Sequence, residues 1–245
     1  MIISLINHTN GKVSDAEIHR TVRAVNRQIA EDFAPYWGFG ARLRLEGRSE
    51  KKPSEHSLAD MRGDAVLYLW DKVDSDAAGY HEKNDRGIPY GYVFLDLADQ
   101  LEEPWSATLS HETLELIGDP ENNLFVAGPH PSDHRRRVFH WFEMCDAVQD
   151  EHYEIDGVRV SNFVLPLYFT SGNESGSRND FLGHSHDGKT LESFGVNPGG
   201  YIGFYDPKTK KGGEFYGKGD SRAARRVKIK QKAAARRSIR KMRLF

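Results

Sequence analysis

The chain has 245 residues, of which 38% are hydrophobic and 29% are charged, so its composition suits a folded globular protein and excludes a disordered one. No apolar run approaches the roughly 20 residues that a membrane-spanning helix needs, and the first residues lack the basic segment and cleavage site of a signal peptide. Cys145 is the only cysteine, which excludes a disulfide within the chain and leads us to expect a cytoplasmic protein with no membrane partner.

The charge is divided unevenly along the chain, although its net value is only −2. Residues 222–245 hold eleven Lys or Arg and no acid, which leaves 23 basic and 36 acidic residues in the preceding 221. We therefore predict one domain over residues 1–220 and a basic tail over residues 221–245. Such a tail binds nucleic acid or another polyanion through charge alone, or it folds against the acidic body.

In the first hundred residues, apolar patterns predict strands around one long helix. Residues 2–6 and 65–70 are short apolar runs typical of buried strands, and residues 41–46 alternate as a half-buried strand does. Ser14 and Glu17 form a capping box at the start of a helix whose apolar residues recur every three or four positions through Phe33. Residues 92–97 predict a further strand, whereas the polar residues 47–63 and 74–91 predict loops.

The remaining chain predicts one more well-defined helix, at residues 105–118, which Pro104 precedes and Pro120 follows. Residues 121–137 predict a loop, residues 140–149 one or two helical turns, and residues 158–169 strand-like pieces. Residues 170–220 are rich in Gly, Asn and Asp, so we expect them to be mostly irregular.

The helix at residues 105–118 carries the motif HExxE. At about 100° per residue, His111 and Glu115 lie together on one side, apolar residues cover the other, and Glu112 lies between them. This is the spacing of the HExxH motif with a glutamate in place of the second histidine, and it suits two metal ligands one helical turn apart. Glu112 would then be the general base. The simpler alternative is a surface helix with a solvated Glu/His face.

The element order and the HE-bearing helix resemble the core of the zincin metallopeptidases. The resemblance covers residues 1–120 by pattern and only the helix by motif. It implies an α/β (α+β) fold with a twisted mixed sheet, a long first helix, an active-site helix and an irregular C-terminal part. In zincins the last strand of the sheet is an antiparallel edge that binds extended substrate above the metal, so the resemblance implies Zn²⁺ and a peptide or protein substrate. A carboxylate ligand also admits other divalent ions.

A third metal ligand is required, because catalytic zinc sites usually have three from the protein. The candidates are Asp119, Glu143, Asp146, His130, His134 and His140. The run from HExxE through Asp119 to Glu143 and Asp146 is also similar to plant phosphate-induced (exordium-like) proteins and their bacterial relatives. Gluzincins take their third ligand from a second helix, so the resemblance implies Glu143 as ligand and Asp146 as the partner that orients His111, with the two roles interchangeable. Asp119 either approaches the metal or caps the turn before Pro120.

Some residues have plainer interpretations. His81 begins a second motif, of HExxD type, but it lies in a polar, glycine-flanked stretch without helical periodicity, so we assign it to a loop. Cys145 is expected to be a buried thiol rather than a nucleophile. Three tyrosines could stabilise an oxyanion, although packing also explains them: Tyr153, Tyr168 and Tyr201.

These patterns predict a metal-dependent peptidase or amide hydrolase. The alternative is a catalytically inactive zincin-like binding module, which docks to nucleic acid or to an acidic partner through its basic tail.

Overall fold

The structure, a computed structural model, describes residues 1–48, 62–71, 79–170 and 177–218. The predicted basic tail and most of the predicted loop at 47–63 lie outside the described residues. The described part is a mixed α/β structure with a five-stranded sheet, a four-stranded sheet and two short hairpins. None of its helices is long and apolar enough to cross a membrane.

The five-stranded sheet occupies the first part of the chain. Its strands are β1 (Ile2–His8), β2 (Arg42–Arg48), β3 (Ala65–Trp70), β4 (Gly79–Lys83) and β5 (Pro89–Phe94). Their order is β2-β1-β3-β5-β4, in which β4 pairs antiparallel with β5 and every other pair is parallel. The predicted strands at residues 2–6, 41–46 and 65–70 lie in β1, β2 and β3, while the strand predicted at 92–97 starts earlier and ends at Phe94.

The prediction of a long exposed loop at residues 74–91 is wrong over β4 and the start of β5. β4 is an edge strand of mixed polarity, and its pairing with β5 depends on hydrogen bonds that no apolar pattern reveals. The turn between β4 and β5 does have a recognisable sequence pattern. The Gly87 N–H donates to the Asn84 carbonyl at 2.9 Å, and Gly87 has a φ of +74° that favours glycine.

The long first helix forms as its capping box and apolar spacing predict. Helix α1 (Asp15–Arg27) begins at Ser14, whose side chain accepts the Glu17 N–H at 3.2 Å. It continues through a π-helical turn, Gln28–Phe33, into the short helix α2 (Ala34–Trp37). Gly38, in the left-handed conformation, ends the run. The predicted apolar face packs in the core through Ile18, Val22, Val25, Ile29 and Phe33.

Two helices follow β5, namely α3 (Leu95–Gln100) and α4 (Trp105–Gly118). Helix α4 has the predicted bounds, but every residue from Ser106 to Ile117 is buried. It packs against β4 and β5 on one side and against the hairpin of β8 (His152–Ile155) and β9 (Val158–Ser161) on the other. Because the helix is covered all round, the alternative of a surface helix with a solvated Glu/His face is wrong.

The second half contains more strand than its composition predicts. Strands β6 (Phe125–His130), β7 (Asp133–Trp141), β12 (Tyr201–Asp206) and β13 (Lys211–Tyr216) form an antiparallel sheet in the order β13-β12-β7-β6. Two strands of two residues each, β10 (Ser185–His186) and β11 (Lys189–Thr190), lie between β7 and β12 in sequence. The loop predicted at 121–137 is therefore wrong over β6 and β7, and the irregular stretch predicted at 170–220 is wrong over the β12–β13 hairpin. The glycine, proline and arginine residues of these strands do not form the apolar pattern of a strand. The pairing of the strands could therefore not be predicted from their composition.

Candidate metal centre

Helix α4 supplies the first part of the site. His111 and Glu115, one helical turn apart, place the Nε2 atom of His111 3.1 Å from the Oε2 atom of Glu115. Both side chains are nearly buried, and so is Glu112. Helical spacing therefore brings the three motif residues together in the protein interior, as the sequence predicts.

The segment after β7 supplies the second part, and of the one or two helical turns predicted for residues 140–149 it forms one. β7 runs to Trp141, and only Asp146–Val148 forms a single 3-10 turn. Backbone contacts hold this segment against α4, because the Cys145 N–H donates to Glu115 Oε1 at 3.1 Å. Gly118 leaves room for it, since a Cβ atom there would lie 2.3 Å from the methyl group of Met144. The chain thereby delivers Glu143 and Asp146 to α4 without a shared helix face.

Asp146 lies beside the nitrogen of His111 that faces Glu115. Its Oδ1 atom is 3.4 Å from His111 Nε2. A carboxylate that orients a metal-binding histidine contacts the opposite ring nitrogen, so this geometry favours Asp146 as a ligand, whereas Glu143 lies beside His81. Tyr201, on β12, hydrogen-bonds to Asp146 from the other side.

His81 belongs to the site, contrary to its assignment to a loop. It lies on β4, is 3% exposed, and places Nδ1 3.7 Å from Glu112 Oε2 and Nε2 3.9 Å from Glu143 Oε2. The HExxD pattern is no helix motif here, because residues 79–83 form a strand. The Asn84–Gly87 turn was the available signal, since a hairpin there pairs residues 79–83 with the strand that precedes α4.

Gly79 lets the backbone of β4 pass directly over Glu112. A Cβ atom at this position would lie 2.6 Å from both Cγ and Oε1 of Glu112. A side chain at position 79 must therefore displace either the strand or the Glu112 carboxylate.

We expect Gly79→Ala to lower hydrolytic activity by up to about a hundredfold while metal binding persists, because displacement of a catalytic group by about 1 Å can cost that much. Steady-state kinetics and metal analysis of the purified variant measure the two effects. Gly212→Ala is the matched control, since a Cβ atom there meets Trp141 at an ordinary 3.5 Å. Unchanged activity in Gly79→Ala would contradict the placement of Glu112.

The buried acids and histidines strongly perturb one another. Burial raises the pKa of Glu115, an effect that His111 opposes and Asp146 reinforces. Burial alone would lower the pKa of both histidines, but the surrounding carboxylates prevail. Glu115 and Asp146 raise the pKa of His111 well above its usual value, and Glu143 and Glu112 raise that of His81 to about 9. Clustered buried carboxylates are costly unless cations neutralise them, and a divalent metal ion does so.

The donor atoms present fit a divalent cation. In two groups of residues, one possible ligand atom from each residue lies within 4.8 Å of those from the others, namely His111 with Glu115 and Cys145, and His81 with Glu115 and Glu143. Among the described residues, the buried Nε2 atom of His81 makes no hydrogen bond. Imidazole nitrogen and carboxylate oxygen are ligands that zinc accepts. Burial, together with Glu115 and Asp146, raises the pKa of the Cys145 thiol well above its usual value, which argues against a nucleophilic role.

The other candidate ligands have structural roles. Asp119 Oδ2 accepts the Leu124 N–H at 2.8 Å, so this side chain holds the loop after Pro120 and not the turn before it. The ring of His140 contacts the Pro129 carbonyl at 2.8 Å, and His130 packs on an aromatic ring. His134 is exposed on β7.

Two of the three candidate tyrosines also have structural roles. The Tyr153 hydroxyl donates to Asp32 and the Tyr168 hydroxyl donates to the Gly195 carbonyl. Of the three, Tyr201 is the one that hydrogen-bonds to Asp146.

A small pocket opens onto the site between β7 and β12. Its lining includes Trp141, Phe169 and Gly203 together with Glu143 and Asp146. Gly203 lies against the Trp141 ring, where a Cβ atom would come within 2.3 Å of it. Acidic and apolar side chains therefore line the same small pocket.

No protein-family model matches the chain, and no curated protein matches it. The function of the site is therefore inferred from its own geometry.

Proposed function

We propose that this protein is a metal-dependent hydrolase of peptide or other amide bonds, with a zincin-like arrangement of its helix and sheet. The observation that carries the proposal is the convergence of Glu115 and Asp146 on one nitrogen of His111, at 3.1 and 3.4 Å, with Glu112 adjacent. Two ligands one turn apart, a third from a distant segment and a neighbouring carboxylate are the parts that metal-assisted hydrolysis requires.

His111 and Glu115 would hold the ion, with Asp146 as the third ligand. When bound, zinc or another divalent ion supplies a Lewis acid that polarises the scissile carbonyl. The ligands also become less costly to bury, because their negative charge is compensated.

Glu112 would act as the general base. It lies between the metal-facing side of α4 and the backbone of β4, where Gly79 confines its carboxylate. His81 Nδ1, at 3.7 Å, faces Glu112 Oε2 and restricts its position. From there Glu112 can accept a proton from an attacking water and pass it to the leaving amine.

Tyr201 would assist on the opposite side. Burial and the nearby acids Asp146 and Glu115 raise the pKa of its hydroxyl well above its usual value, so the group remains a hydrogen-bond donor. Because the hydroxyl has one proton, it would stabilise the oxygen of the reacting carbonyl by turning from Asp146 to that oxygen as negative charge develops on it.

The sheet supports a peptide substrate. β4 is the last strand in the order β2-β1-β3-β5-β4, antiparallel to its neighbour, and its residues Gly79 and His81 contact the motif acids. An extended peptide can add to such an edge through backbone hydrogen bonds, which would bring its scissile bond above α4.

Metal analysis and a peptide library test the proposal together. We expect the purified full chain to contain bound zinc, to cleave peptides read by mass spectrometry, to lose activity on chelation and to regain it with Zn²⁺. Bound metal without cleavage would favour the inactive binding module that docks through residues 222–245. Absence of metal binding would overturn the metal-dependent function.

A further inference from the structure

We propose that His81 and Glu143 hold a second divalent cation, which shares the Glu115 carboxylate with the cation at His111. The inference deepens the proposed function and rests on it, because it concerns how many ions the same centre binds. It makes the centre a carboxylate-bridged pair in place of a single-ion site.

The two groups of possible ligands share one carboxylate, as the ligands of a bridged pair of ions do. The group around His111 and the group around His81 share Glu115 and no other residue. A carboxylate has two oxygens with about four lone pairs, so Glu115 can serve two ions and still accept the Cys145 N–H on Oε1. His111 Nε2 lies 3.1 Å from Glu115 Oε2 and 3.4 Å from Asp146 Oδ1, whereas His81 Nε2 lies 3.9 Å from Glu143 Oε2.

The Nε2 atom of His81 is buried without a hydrogen bond to any residue that the structure describes. The side chain is 3% exposed, and within the described part of the chain this nitrogen makes no hydrogen bond. Its distance of 3.9 Å from Glu143 Oε2 is too long for a hydrogen bond. This distance does suit two ligands of one ion, because an ion that lies about 2.1 Å from each ligand atom can bind two atoms up to about 4.2 Å apart.

The negative charge of the site also favours the binding of two ions. Four acids, Glu112, Glu115, Glu143 and Asp146, lie on or beside the two histidines. Metal-binding histidines are neutral, so one divalent ion leaves these four carboxylates with two uncompensated negative charges. A second divalent ion neutralises them, and uncompensated buried charge is strongly unfavourable.

A bridged pair has a defined chemical use. Two ions about 3.5–4 Å apart stabilise the attacking and the departing atoms of a hydrolysed bond at once. His81 is then a ligand supplied by the same strand that we propose to bind the peptide backbone, so substrate binding and metal binding would share β4.

Zinc titration of the full chain tests the inference. After removal of metal by chelation and dialysis, isothermal titration calorimetry and elemental analysis should give two Zn²⁺ per chain for the wild type. His81→Asn should give one, with the site at His111 retained. His134→Asn removes an exposed imidazole elsewhere in the molecule and should still give two.

Glu143→Gln provides an independent variant, in case His81→Asn does not fold, and it should also reduce two ions to one. Circular dichroism and thermal melting verify folding of each variant. One ion per wild-type chain would overturn the second site and leave the proposed hydrolase intact, whether or not His81→Asn removes that ion. No ion in the wild type would overturn both proposals. Two ions that persist in both variants would place the second ion elsewhere and overturn the assignment to His81 and Glu143.

Discussion

Glu112→Gln is expected to lower hydrolytic activity by at least about a hundredfold, the lower range for loss of a general base, while zinc stays bound. The substitution keeps the size of the side chain and removes its proton acceptor. Because Glu112 borders β4 and His81 without being needed as a metal ligand, the variant should retain both fold and metal. Kinetics on a peptide identified from the library, together with metal analysis, measure both properties.

The exposed neighbour of His81 provides the control for this variant. Glu82→Gln removes a carboxylate from the solvent-facing side of β4 and should leave activity unchanged. If Glu112→Gln cleaves peptides as fast as the wild type, Glu112 is not the base and the zincin-like mechanism is wrong for this protein.

Glu115→Gln is expected to weaken zinc binding by at least about a hundredfold, because even residues that only support a ligand contribute up to that factor. Glu115 lies 3.1 Å from His111 Nε2 and belongs to both groups of possible ligands, so its loss affects every ion of the centre. Glutamine still accepts the Cys145 N–H that Glu115 Oε1 now accepts, which should preserve the fold. Calorimetric zinc titration measures the change in affinity.

Asp119→Asn is the matched comparison, since Asp119 is another buried acid next to α4 and one of the candidate third ligands. Its carboxylate accepts the Leu124 N–H, so we expect the variant to lose some thermal stability and to keep its metal. Zinc affinity equal to that of the wild type in Glu115→Gln would exclude the HExxE helix as a metal site.

The sequence alone determined the features that depend on short-range spacing. The capping box and the three-and-four spacing of apolar residues placed the first helix through Phe33, and the bounds of α4 were correct. The proximity of His111 and Glu115 also follows from one helical turn. Such features are predictable because neighbouring residues in the chain create them, whatever surrounds the helix.

Tertiary structure alone decided the rest of the site. Glu143 and Asp146 reach α4 through an irregular segment that backbone contacts hold, and Tyr201 arrives from a hairpin in a stretch predicted to be irregular. His81 reaches the motif acids only because β4 pairs with β5 at the sheet edge. Strand pairing joins residues that are distant in sequence through backbone hydrogen bonds, which side-chain composition does not encode. Local periodicity therefore predicted the helix that carries the motif, whereas long-range pairing decided which acids and which second histidine surround it.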